Sequence, residues 1–100
     1  MNTSIQHQIN LFKEIENMCV KNNDVWSKVP EFRGAFSRFA LKVAQLDLLV
    51  EQENIQQPLF NKLLTEITQI LNQSFDRYFD YLKSKYCDLC KKYFSIRSSF

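Results

Sequence analysis

Eleven side chains, Phe60, Leu64, Ile67, Leu71, Phe75, Phe79, Leu82, Tyr86, Leu89, Tyr93 and Ile96, are spaced so that ten steps cover 36 residues. The mean step of 3.6 residues is the period of a straight α-helix, so all eleven can share one face. A face that long and apolar has to be covered, and what covers it is the main functional question the sequence poses.

Two shorter helical patterns come before it. Ile5, Ile9, Phe12, Ile15 and Cys19 recur at three- and four-residue intervals, which predicts a helix over residues 4–21 with Asn2, Thr3 or Ser4 as its cap. Asn22-Asn23-Asp24 reads as a loop, because these side chains hydrogen-bond their own backbone. A second helix should open at Pro30, since the residue before a proline is pushed out of the helical region, and Glu31 suits the positive end of its dipole. Val29, Phe32, Phe36, Phe39, Val43, Leu46 and Val50 then alternate steps of three and four, a seam for neighbouring helices at a shallow crossing angle. Gly34 costs this helix about 1 kcal/mol relative to Ala; it marks either a close crossing or a tolerated residue. After a second break at residues 53–58, Pro58 opens a third helix and Gln57 is pushed extended. From there to about Phe94 no Gly or further Pro occurs, and Asn72-Gln73-Ser74 is the one weak spot.

Composition agrees with helices. The 100 residues form a single domain, 1–100, with 45% hydrophobic side chains, one Gly and two Pro, which argues against disorder and against a turn-rich β protein. No run of 18 apolar residues occurs, and the opening lacks a signal-peptide pattern, so the expected location is cytoplasmic with no membrane span. Three cysteines, an odd number, fit reduced thiols better than a disulfide framework.

Length then decides between architectures. At helical rise the first two helices would be about 27 Å and 38 Å long, and an unbroken third about 55 Å, so in an antiparallel bundle its end overhangs its partners by about ten residues. The expectation is an all-α, antiparallel three-helix bundle with a long C-terminal helix, or a four-helix bundle if that helix folds back. If it does not fold back, another chain covers the overhang. On that reading the protein is a non-catalytic interaction or assembly module whose contact surface is Leu82, Tyr86, Leu89, Tyr93 and Ile96. Its partner is a second copy, giving a homo-oligomer, or another helical protein. No cofactor is implied.

Chemistry-bearing residues are sparse. Cys87-Asp88-Leu89-Cys90 has the spacing that places two thiolates on one helical face, half of a tetrahedral zinc site, which two chains could complete between them. No second such pair follows, so metal binding at Cys87 and Cys90 ranks below ordinary semi-buried cysteines, which behave as small apolar residues. A thioredoxin-like role is disfavoured because no strand precedes the motif. His7, the single histidine, is flanked by Gln6 and Gln8 and leaves His-dependent catalysis little to stand on; Gly34 alone makes no phosphate loop. Asp47, Glu51, Glu53 and Glu66 read as a solvated face, not as catalytic carboxylates.

The alternative function uses the basic, aromatic C-terminal region. Residues 76–100 carry six basic and three acidic side chains, and Tyr78, Tyr81, Tyr86, Tyr93, Phe94 and Phe100 lie among them, as in surfaces that bind single strands or act in regulation. Lys83, Lys85 and Lys91 point in different directions around a helix, which disfavours nucleic acid and a membrane surface alike.

Residues 20–55, read as Val20-Lys21-Asn22-Asn23-Asp24-Val25-Trp26 followed by Phe32, Phe36, Phe39 and Val43, resemble the opening helices of uncharacterised bacterial helical proteins. The resemblance covers about a third of the chain. It contains no diagnostic motif and implies no activity.

Overall fold

The computed structural model describes residues 3–52 and 56–100, and every regular element among them is helical. Helix α1 spans Thr3–Lys21, α2 is a single turn over Asn23–Trp26, and α3 spans Pro30–Glu51. Helix α4 (Gln57–Ile70) continues through a π-turn over Leu71–Phe75 into α5 (Asp76–Leu82), and α6 spans Cys87–Arg97. Helix α3 packs on α4 and the π-turn, α1 on α3 and α6, and α5 on α6.

The first connection is tighter than the loop the sequence suggested. Asn22 turns the chain alone, and Asn23 to Trp26 coil into a helical turn. The last carbonyls of α1 have no partner further along their own helix. Asn22 Nδ2 donates to the Met18 carbonyl and the buried Trp26 Nε1 donates to the Cys19 carbonyl, each at 2.8 Å. Helix α3 opens at Pro30 after an extended Val29, as the proline rule requires. At the second connection, Glu53 to Ile55 lie outside the described residues, as does the candidate cap Asn2. Gln57 is helical and not extended, because the Phe60 N–H closes the first turn on the Gln56 carbonyl at 3.0 Å and leaves Gln56 as the extended residue.

The seams go where their spacing sends them. Phe32, Phe39, Val43, Leu46 and Val50 are buried on α3, joined by Ala35 and Leu49, while Val29, Phe36 and Leu64 are half-buried against the core. Phe32 is the hub of an aromatic cluster, with ring centroids 4.7 Å from Phe75, 4.3 Å from Tyr78 and 5.6 Å from Phe79. A Cβ added at Gly34 would meet only the flexible end of Arg38, at 3.6 Å, so this glycine marks no close helix crossing.

The C-terminal stripe departs from a single straight helix at two places. Asn72-Gln73-Ser74 is not a break; it lies inside the π-turn, where the Asp76 N–H reaches back five residues to the Leu71 carbonyl. Ile67, Leu71, Phe75 and Phe79 are three successive steps of four, each overshooting a full turn by about 40°, and a turn holding one extra residue absorbs that drift. The real break is at residues 83–86, where the N–H groups of Lys85 and Tyr86 both close on the Leu82 carbonyl and the chain turns back as α6. The molecule is accordingly 45 Å long, shorter than an unbroken third helix.

Of the two outcomes open for the end of the stripe, the chain takes the fold-back. Tyr93 and Ile96 are buried where α6 packs on α1 and α5, and Leu82 is buried at the end of α5. No glycine or proline forces the turn; burial of Cys90, Tyr93 and Ile96 drives it, tertiary packing overriding local propensity.

Candidate functional site

Tyr93 has no exposed surface, and its ring stacks on Phe79 with centroids 4.3 Å apart. Its hydroxyl donates to Asp76, which also accepts from Arg97 Nε at 3.1 Å and from the Arg97 Nη2 group at 3.3 Å; the same guanidinium donates to Asn72. Burial and the Asp76 carboxylate hold the Tyr93 hydroxyl far above the usual phenol range. This cluster is a structural tie, since each polar group in it is engaged with another.

The fold-back leaves an open cleft of about 550 Å³ where the start of α3 meets the end of α5. One wall is Val25, Val29 and Phe32, the other Tyr78, Tyr81 and Tyr86, with Glu31 and Lys85 also lining it. Both walls are fixed from behind. Tyr78 stacks on Phe32 and its hydroxyl donates to the Val25 carbonyl at 3.2 Å, so α5 is tied to α2 across the floor. Desolvation raises the Tyr78 hydroxyl above its ordinary value, keeping it a donor. In contrast, Tyr81 stands 79% exposed and Tyr86 41% exposed.

Of the five residues expected on a contact surface, Tyr86 lines this cleft in the open, Leu82 lies buried in its floor, and Leu89 is half-buried on α6. Tyr93 and Ile96 lie inside. The cleft residues absent from that expectation are Val25, Val29, Glu31, Phe32, Tyr78, Tyr81 and Lys85. Tyr81 carries a legible signal, since a large ring between the stripe positions Phe79 and Leu82 has to face away from the core.

The remaining candidates separate. Cys87 is exposed and Cys90 buried, so the two thiols of the C-x-x-C spacing differ in access. Cys19 lies buried on α1, where desolvation and Glu16 push its thiol up to about 12. No group of three or more metal-ligating side chains occurs among the described residues. His7 is exposed. Asp47 pairs with Lys13 at 2.9 Å, and Glu66 with Lys42, whose hydrogen bond holds the Glu66 carboxyl below its ordinary value. Of the six C-terminal basic residues, Arg97 is committed to Asp76 and Lys83 pairs with Asp80 at 3.0 Å. No helix among the described residues is long and apolar enough to cross a membrane.

Compared with known protein families, with curated proteins and with solved structures, the chain matches none, so no functional family stands behind the resemblance of residues 20–55.

Proposed function

We propose that this chain is a non-catalytic helical assembly module, an antiparallel bundle that self-associates through the end where α5 turns into α6. The observation that carries the reading is that one patch supplies both a hole and a knob. The cleft between Val29 and Tyr78 is open, and Tyr81 projects beside it with most of its ring in solvent. A two-fold interface needs such self-complementarity, because each chain offers the same surface to the other. Tyrosines are favoured anchors in interface centres, and Glu31 and Lys85, of opposite charge, can meet each other's counterparts at the rim.

Other features support the rest of the reading. Low residue numbers on α3 meet high ones on the following helices, as in Phe39 with Phe75 and Phe32 with Phe79, which is the pattern of antiparallel neighbours joined by short connections. The acids Asp47, Glu66 and Asp76 are held by Lys13, Lys42 and Arg97 in place of a cleft role, which favours a non-catalytic protein. Three free thiols favour a cytoplasmic location.

Sedimentation velocity on the wild type, on Tyr81→Lys and on Leu48→Lys tests the surface. Leu48 is a similarly exposed apolar residue on α3, away from the cleft. A dimer lost in Tyr81→Lys and kept in Leu48→Lys supports the assignment. The reverse pattern overturns it.

A further inference from the structure

Cys87 is the first residue of α6 and Cys90 the fourth, and both line a cleft of about 370 Å³ with Lys83, Lys91 and Phe94. Their exposures are opposed: Cys87 is open to solvent, whereas Cys90 is 1% exposed and reaches the cleft from the core side. The Cys87 thiol donates to the Asp88 carboxylate at 3.8 Å. We propose that Cys87 and Cys90 form an oxidisable dithiol that exchanges with low-molecular-mass disulfides and closes reversibly to an intrachain disulfide. This modification site goes beyond self-association and does not rest on it.

The roles follow from access. Cys87, having given up its proton to solvent, attacks one sulfur of the small disulfide. That S–S bond breaks, its electron pair leaves with the other sulfur, and the departing thiolate takes up a proton. Cys87 is then a mixed disulfide. Cys90 next loses its proton and attacks the Cys87 sulfur, expelling the second small thiol. Two chain thiols are oxidised and one external disulfide is reduced to two thiols. Burial and the nearby Cys87 raise the Cys90 thiol above its ordinary value, which suits the residue that acts second.

Geometry permits closure and limits its strength. Residues three apart in a helix have Cα atoms about 5 Å apart, inside the disulfide range, but their Cβ atoms lie about 5–6 Å apart where a relaxed disulfide wants about 3.5–4.5 Å. The first turn of a helix can give, because its leading N–H groups have no intrahelical partner; here the Cys90 N–H closes it on the Tyr86 carbonyl at 3.0 Å. A bond formed by distorting that turn is readily reduced, the property of a reversible pair.

The test treats the full chain with oxidised glutathione, quenches with acid, alkylates in denaturant and maps the peptides by mass. The expected result is a monomer lacking two hydrogens, with Cys87 joined to Cys90, Cys19 fully alkylated, and recovery on adding a dithiol reductant. Cys90→Ala should stop at the glutathione adduct on Cys87, and Cys87→Ser, altered only at an exposed position, should leave Cys90 unmodified. A wild type that accumulates the adduct without closing, pairs with Cys19 or another chain, or does not react while the denatured chain does, overturns the proposal.

Discussion

The Tyr93 hydroxyl donates to Asp76 Oδ1 at 2.6 Å, and this bond fastens α6 to the helix it has turned back along. The ring of Tyr93 supplies burial against Phe79, while its hydroxyl supplies direction, since Asp76 is reached only in one register of α6. Removing the hydroxyl alone, as Tyr93→Phe, should cost about 1.5–3 kcal/mol, the range for a hydrogen bond to a charged group. Truncation to Ala should cost about 3–5 kcal/mol, because the cavity is added. Chemical denaturation of the two variants checks the order; equal and small losses would mean that α6 is not held this way.

Gly34 can be replaced to advantage. It sits in the second turn of α3 with ordinary helical geometry, and the space beside it meets only Arg38. Gly34→Ala should stabilise the fold by about 0.5–1 kcal/mol by restricting the unfolded chain. A loss of stability would show that something packs closer to Gly34 than the structure has it.

Alkaline pH should weaken the fold through Cys19. Its thiol rises from 9.0 to about 12 on folding, so above pH 9 the unfolded chain has released a proton that the folded chain still holds. The unfolded state then binds fewer protons, and stability falls as pH rises. The contribution is intact below pH 9.0 and is lost progressively toward about 12, with the raised Tyr93 hydroxyl adding to the fall above 10.0. Denaturation midpoints measured from about pH 8 to about pH 11 should drop more steeply in the wild type than in Cys19→Ala. Parallel curves would contradict the assignment.

A chelator should change neither the mass in solution nor the melting temperature, since Cys87 and Cys90 differ in access and no further ligand cluster accompanies them among the described residues. Structural zinc contributes enough folding energy that its removal would be conspicuous. Stoichiometric zinc lost together with the fold would reinstate the metal-linked dimer.

How much was legible depended on whether a feature was local. Pro30 and the seam from Phe32 to Val50 announced α3, because proline geometry and helical period act within a few residues. The fold-back at residues 83–86 was visible only as one of two outcomes, because Lys83-Ser84-Lys85 contains no breaker and the turn depends on α1 and α5 being there to cover Tyr93. The π-turn did leave a trace, the three steps of four from Ile67 to Phe79, in a stripe whose mean period hid it. The aromatic cleft was the least legible part. Its walls come from two stretches far apart in the chain, 25–32 and 78–86, and nothing in the order of Val25, Phe32 and Tyr81 says that they meet.

The solution mass of the full chain, measured by sedimentation equilibrium across micromolar concentrations and at low and high salt, tests the central claim most directly. Self-association through an apolar, aromatic cleft predicts a mass approaching twice the 12.0 kDa of one chain, with little dependence on salt, because apolar burial is not screened by ions. A monomer at every concentration, joined by steeply salt-sensitive binding of single-stranded nucleic acid that flattens when Lys91 and Lys92 are replaced, would contradict the assembly account and favour the basic C-terminal region as the working surface.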